Sequence, residues 1–426
     1  MSPAPRRPGT AARPARVMAA AAVALLALTA VPAGAETWKG LVLQRQLREA
    51  PWHFGPIRIQ PSLVVSNAGI DSNIYYAASE PIKDFTLTAG PAATIHIPFY
   101  RKFVLSVYGS PQYVWYSKTE RERTRNYYLR GAAQLSLKDV FFSFEGAYSD
   151  ARERWNTEID IRPRRKEEAA AASVLVNLAH RTSFALAART VRYDYESIIY
   201  EGGFNVQERL NRREDYANVQ LFYQASSQRR FFLDLEYGRY DFEFAATAAT
   251  KDSRSAAVHA GLEFSPLGRR VRGRIRIGYK SFDIRDPNGV DHRGIVGDSQ
   301  LSIRLARPFV IRGSYVRDVR FSLWYGNPYY LESRPGVGAS IYPARFLRLD
   351  YDYGFGRNSY PVPQEVEPGV EVKRLDQFGI HSVAVYVRIV KSTALGFVAS
   401  FWTRDSNLGW EDDKRTFFGV NLTYDF

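Results

Sequence analysis

"VRGRIRIGYK", residues 271–280, places Val271, Gly273, Ile275, Ile277 and Tyr279 on one side of an extended chain and Arg272, Arg274, Arg276 and Lys280 on the other. Such a strand suits either a polyanionic partner or one wall of a structure with an apolar outside and a wet inside. The rest of the chain decides between them.

From about residue 57 one pattern repeats. A stretch of alternating polarity is followed by a tight turn, a second such stretch and then a longer polar loop. The tight turns read at Phe99 to Lys102, Lys138-Asp139, His180-Arg181, Ser226 to Arg229, Pro266 to Arg269, Arg307-Pro308, Pro343 to Arg345 and Lys391-Ser392. They carry Pro, Gly, Ser and Asp, which set turn dihedrals. Longer charged loops read at 68–83, 118–125, 152–166, 198–213, 244–254, 285–296, 325–333, 356–376 and 404–414. Eight turns alternating with nine loops predict eighteen strands in an all-β, antiparallel up-and-down barrel that crosses a membrane. The asymmetry of short turns and long loops is that of outer-membrane barrels, and it puts both termini in the periplasm.

The ends of the chain agree. Arg6, Arg7, Arg13 and Arg16 precede the apolar run Val17 to Val31 and then Ala33-Gly34-Ala35, a secretory signal cleaved near Ala35. Its removal takes four arginines and no acid, lowering the net charge from +14 to about +10. At the other end, Phe418, Val420, Leu422, Tyr424 and Phe426 share one face of a closing strand. Tyr424 and Phe426 then read as the C-terminal assembly signal. The chain divides into a signal at 1–35, a short periplasmic or lumenal segment at 36–55 and the barrel at 56–426.

Composition excludes other classes. No segment after residue 35 approaches the roughly 18 apolar residues of a spanning helix. With no Cys there is no disulfide, iron–sulfur cluster or thiolate zinc site. The histidines His53, His96, His180, His259, His292 and His381 are scattered, and neither an H-E-x-x-H nor a G-x-S-x-G pattern occurs. No catalytic, cofactor-binding or metal-binding residues are assigned, and the chain is read as a non-enzyme without cofactors.

In lipid, charge belongs in the lumen. Phe231, Leu233, Leu235 and Tyr237 then face lipid against Asp234 and Glu236, and Leu347, Leu349, Tyr351, Tyr353 and Phe355 oppose Arg348, Asp350 and Asp352. Turning Arg272, Arg274 and Arg276 outward would cost roughly 2 to 4 kcal/mol for each one near the bilayer midplane. They face inward, and a nucleic-acid partner loses its basis. Arg192, Asp194 and Arg317 break the phase; a bulge or exposure at the outer rim would reconcile them.

The inward set defines the candidate pore lining. Arg272, Arg274, Arg276, Lys280, Arg304, Arg312 and Arg320 are its basic members, and Glu145, Asp234, Glu236 and Glu263 its acidic ones. They either set an anion-favouring field or neutralise one another across strands. Inward Tyr108, Tyr116, Tyr386 and Trp402 could offer sugars a stacking track, and loop residues Tyr75, Tyr76, Tyr329 and Tyr330 read as a cap or girdle.

"NAGIDSNIYY", residues 67–76, carries a D-x-N-[IV]-Y segment after the first strand, and the chain ends in Phe. Here the sequence resembles a family of outer-membrane β-barrel porins, the second such group by usual naming. The resemblance implies a passive pore of a Gram-negative outer membrane, in a family often encoded with exopolysaccharide export machinery. Expected partners are outer-membrane lipid and lipopolysaccharide, the barrel-assembly machinery and exopolysaccharide export proteins. The alternative is a docking barrel of an exopolysaccharide assembly complex without an open pore. The segment 36–55 is too short for a globular plug, and is read either as a short amphipathic helix in the mouth or lumen or as disorder.

Overall fold

A computed structural model describes residues 36–426 apart from residues 100, 101, 159, 180, 201, 202 and 325. The expected signal at 1–35, Tyr100 and Arg101 of the turn expected at Phe99 to Lys102, and His180 of another expected turn lie outside the described residues.

Alternating polarity folds into eighteen antiparallel strands: β1 Ile57–Asp71, β2 Asp84–Phe99, β3 Phe103–Tyr116, β4 Thr124–Ser136, β5 Val140–Arg152, β6 Arg164–Ala179, β7 Thr182–Tyr195, β8 Arg212–Ser226, β9 Arg229–Phe242, β10 Ser253–Phe264, β11 Val271–Ile284, β12 His292–Arg304, β13 Phe309–Phe321, β14 Tyr329–Ala344, β15 Leu347–Ser359, β16 Leu375–Val390, β17 Thr393–Ser406 and β18 Asp413–Asp425. Each pairs with the next, and β18 returns to β1 with Leu63 opposite Tyr424 and Ile70 opposite Phe418. The sheet is a closed barrel, so every main strand has a neighbour on both sides. The short strand Trp52–Phe54 pairs beside the start of β1, and Trp52 packs edge-on against Phe426 at 5.8 Å. Both ends of the barrel sequence therefore lie on the side of the short turns.

The eight turns and nine loops fall where the residue types predict them, with strands running a few residues further than expected. The loop expected at 68–83 begins at Ser72, because β1 passes through a bulge between Ser66 and Gly69. Asn67 there has φ 54°, and its N–H donates to Asn421 Oδ1 at 2.9 Å. The bulge spends the Asn/Gly signal that reads as a loop. Similarly, the loop expected at 325–333 occupies 322–328, since β14 starts at Tyr329.

Burial follows phase. On β9, Phe231, Leu233, Leu235 and Tyr237 are exposed outward while Phe232, Asp234 and Tyr240 are buried inward. Strands of 12 to 16 residues exceed the roughly 9–11 that span a membrane, so their loop-side ends form a rim. There the outward phase turns ionic: Arg192 pairs with Glu243 at 2.7 Å, Arg213 with Asp215 at 3.0 Å and Arg239 with Asp241 at 2.7 Å. Arg192 and Asp194 are thus rim residues, and the β7–β8 register runs without a bulge.

Among the described residues three α-helices accompany the strands: α1 Glu36–Glu49 before the barrel, α2 Val206–Leu210 between β7 and β8, and α3 Ala245–Lys251 between β9 and β10. The segment 36–55 is largely helical. Gln60 on β1 donates to the Gln46 carbonyl of α1 at 3.1 Å.

Candidate pore and mouth

The register that places lipid-facing Ile275 and Ile277 outward stacks charged side chains inside. Arg276 of β11 lies opposite Asp298 of β12. Its guanidinium reaches Asp298 at 2.5 Å, Asp234 at 3.2 Å and Glu236 at 3.6 Å. Lys280 pairs with Asp318 at 2.7 Å, Arg312 with Asp352 at 2.8 Å, and Arg320 with Glu332 at 3.1 Å. Glu263 holds Arg230 at 2.8 Å, and Glu145 accepts from Ser143 at 3.2 Å. The ion pairs among these cross between strands and hold the wall together electrostatically.

A cavity of about 1560 Å³ runs along this side of the lumen. All seven expected basic residues border it, as do Glu145, Glu236 and Glu263. Asp234 corrects the expectation of a pore-lining acid: it points inward but is 0% exposed, covered by Arg276 and Asn218. Of the two expectations for these charges, neutralisation across strands describes Arg276, Lys280, Arg312 and Arg320, each of which meets an acid. The unbalanced charge lies toward the turns. Arg269, Arg270 and Arg304 are exposed there and make no ion pair with a described residue. Arg272 donates to the Gly268 carbonyl at 2.5 Å. Arg274 stacks on Phe232 at 4.1 Å, and its Nε and Nη2 lack hydrogen-bond partners. Sequence reasoning missed Arg269, which it had spent on a turn, and Arg270 beside it. Val42 of α1 borders the same cavity.

On the loop side the lumen is covered. The loop between β5 and β6, residues 153–163, folds inward and meets most of the other long loops. Glu158, 0% exposed, accepts from Leu323 N at 2.8 Å and from the Ser322 hydroxyl. Arg404 of β17 donates to the Thr157 carbonyl at 2.8 Å and pairs with Asp160 at 3.1 Å. Arg162 lies 3.5 Å from Glu122, and Arg154 lies over the Tyr76 ring at 3.9 Å. Lys251 of α3 donates to the Ser322 carbonyl at 2.5 Å. Arg374 pairs with Asp376 and Glu411 at 2.9 and 3.2 Å and lies 4.5 Å from the Trp324 ring. An apolar layer of Leu323, Val206, Leu210 and Tyr195 fills the space between loops. Burial shifts the ionisable groups of this lid. It raises Glu158, against the pull of Arg374, raises Asp160 to about 6 and lowers Lys251 to about 7.

The aromatic residues do not form a sugar track. Tyr116 is buried beneath Arg162 at 4.9 Å, and Trp402 stacks on Phe378 at 5.2 Å. Of the four, Tyr386 alone borders the cavity, beneath Arg348 at 4.1 Å. Tyr75, Tyr76, Tyr329 and Tyr330 pack within the mouth as cap residues; Tyr330, for example, lies 5.5 Å from Tyr360.

Among solved structures the chain is similar to proteins of Pseudomonas aeruginosa. OccK5 (OpdH) matches at 11% identity over 86% of this chain and 98% of that one with a TM-score of 0.48, and OccK7 (OpdD) at 12% over 88% and 99% with a TM-score of 0.47. The siderophore receptor PirA of the same organism matches at 10% identity over 88% and 81% with a TM-score of 0.45. No curated protein matches the chain. An eighteen-strand closed barrel with an apolar exterior and a charged, water-accessible lumen accords with the family model that covers residues 53–425, and the chain belongs to that family, described as "Putative beta-barrel porin 2".

Proposed function

We propose that this outer-membrane barrel is a gated channel for anionic solutes, with acidic polysaccharide as the substrate class, entered from the periplasm at the turn side. The observation that carries the reading is the surplus of Arg269, Arg270 and Arg304 at the turn-side entrance, below a stretch of lumen where Arg276, Lys280, Arg312 and Arg320 are each paired with an acid. Unpaired guanidinium groups at a low-dielectric mouth concentrate anions and raise their rate of entry. The loop-side lid built on residues 153–163 is the gate. It is held by side chains and loop backbone rather than by strand ladders, so it can move without unzipping the wall.

A second reading has the lid in its favour: a docking barrel of an export complex that never opens. Planar-bilayer recording of the purified protein in a potassium chloride gradient separates the two. The channel reading expects discrete conductance steps with a reversal potential on the anion side. Silence over a wide range of voltage and pH would overturn it and leave the docking barrel.

A further inference from the structure

The ladder between β12 and β13 joins Gly297–Arg304 to Val310–Arg317 and stops there. Both strands continue. β12 reaches His292, held by Phe282 of β11, and β13 reaches Phe321, held by Tyr329 of β14. His292–Val296 and Asp318–Phe321 thus adjoin with no strand pairing between them. An unpaired backbone edge facing lipid costs several kcal/mol per group, and here side chains cover it. Arg317 donates from Nε to the Ile295 carbonyl at 3.0 Å and from Nη1 to Ser333 Oγ at 2.8 Å. This is why Arg317 sits on the outward phase. On the inner side the Lys280–Asp318 pair, at 2.7 Å, spans β12 at Gly294, the register partner of Lys280. The end of β13 leans over the lumen: Phe321 lies 5.0 Å from Phe242 and 5.8 Å from Phe282.

The seam is therefore latched by two side chains between an exposed apolar exterior, where Ile295 is 58% exposed, and an interior lined by Val296, Phe282, Val319 and Phe321. Below it, the Arg274 guanidinium lies over the Phe232 ring of β9, with two buried N–H groups that have no partner among the described residues. Its register partner, Gln300, is four residues from Val296, about 13 Å along the strand. We propose that this seam is a lateral portal between lumen and bilayer for an anionic single-chain amphiphile, whose head group binds Arg274 and whose chain lies in the seam. This exit goes beyond the proposed solute channel and does not require the lid to open.

The absence of native Cys makes the test direct. Dodecyl phosphate with a terminal diazirine serves as the photoprobe on protein in vesicles, with chloride conductance measured in parallel. Labelling is expected to concentrate in 292–297 and 316–321. It should fall about tenfold or more in Arg274→Gln and persist in Arg274→Lys. It should also be lost when Val296→Cys and Val319→Cys, both on the inner side of the seam, are oxidised together, return on reduction, and be unaffected by a Leu301→Cys, Gly313→Cys pair in the zipped part of the ladder. Chloride conductance should be unchanged by the upper cross-link. Labelling spread evenly over lipid-facing strands, or within twofold of the parent in Arg274→Gln, would overturn the portal whether or not the channel conducts.

Discussion

The Glu158 carboxylate accepts the Leu323 amide at 2.8 Å, joining the β5–β6 loop to the β13–β14 loop across the mouth. Both partners are fully buried, so removing the acceptor strands an amide and the Ser322 hydroxyl at a cost of about 1–3 kcal/mol. Glu158→Ala is expected to loosen the lid, raising mean conductance and exposing Leu323 and Trp324 to chymotrypsin. Glu158→Gln, which keeps an acceptor oxygen, should lie between. Equal cleavage in all three proteins would show that the tie does not hold the gate.

Asp160 makes the lid sensitive to acid. Burial raises its carboxyl to about 6, offset in part by Arg404 and Arg154, whereas an open lid would return it to an ordinary carboxylate near 4. The closed state then holds a proton that the open state has released between about pH 4 and 6. Closure is favoured at low pH and weakens as pH rises through that window, by up to about 3 kcal/mol. Channel opening should increase from pH 4 to pH 7, and Asp160→Asn should flatten the profile. A parent profile that falls with rising pH would have the opposite sign.

The barrel was legible because period-2 alternation and Pro/Gly/Asp turns are local signals, and both recur along the whole chain. The inward set from Arg272 to Arg320 followed from phase alone. What phase cannot give is which inward charges meet. Asp234 vanishes beneath Arg276 because three strands bring their side chains to one point, a fact of register rather than of sequence spacing. The lid was illegible for a similar reason: Glu158 and Leu323 are far apart in the chain, and loop residues carry no periodicity. Arg317 was the one visible trace of the seam, a cation on the wrong face.

Closure of the barrel depends on Gly69. A Cβ there would lie 2.0 Å from the Phe418 carbonyl oxygen of β18, and backbone cannot step aside as a side-chain tip can. Gly69→Ala should therefore impair pairing of β1 with β18 beside the Asn67 bulge. The expected outcome is a smaller fraction of folded, heat-modifiable barrel on electrophoresis. Gly131→Ala, where no atom lies within 4 Å of the added carbon, is the control and should fold as the parent does.

Arg276 and Arg304 separate stability from selectivity. Arg276 compensates Asp234, which has no exposed surface, and breaking a buried pair by removing one partner costs about 3–5 kcal/mol. Arg276→Met should lower the unfolding midpoint sharply, and adding Asp234→Asn should restore part of the loss by removing the stranded charge. Arg304 is exposed at the turn-side mouth, where substitutions away from packing contacts stay within about 0.5 kcal/mol. Arg304→Glu, combined with Arg269→Glu, should leave the midpoint in place while moving the reversal potential toward cations, because the local field at the entrance changes sign. Unfolding curves and reversal potentials on the same preparations test both halves. A reversal potential unmoved by the double charge reversal would place the selectivity step elsewhere along the lumen.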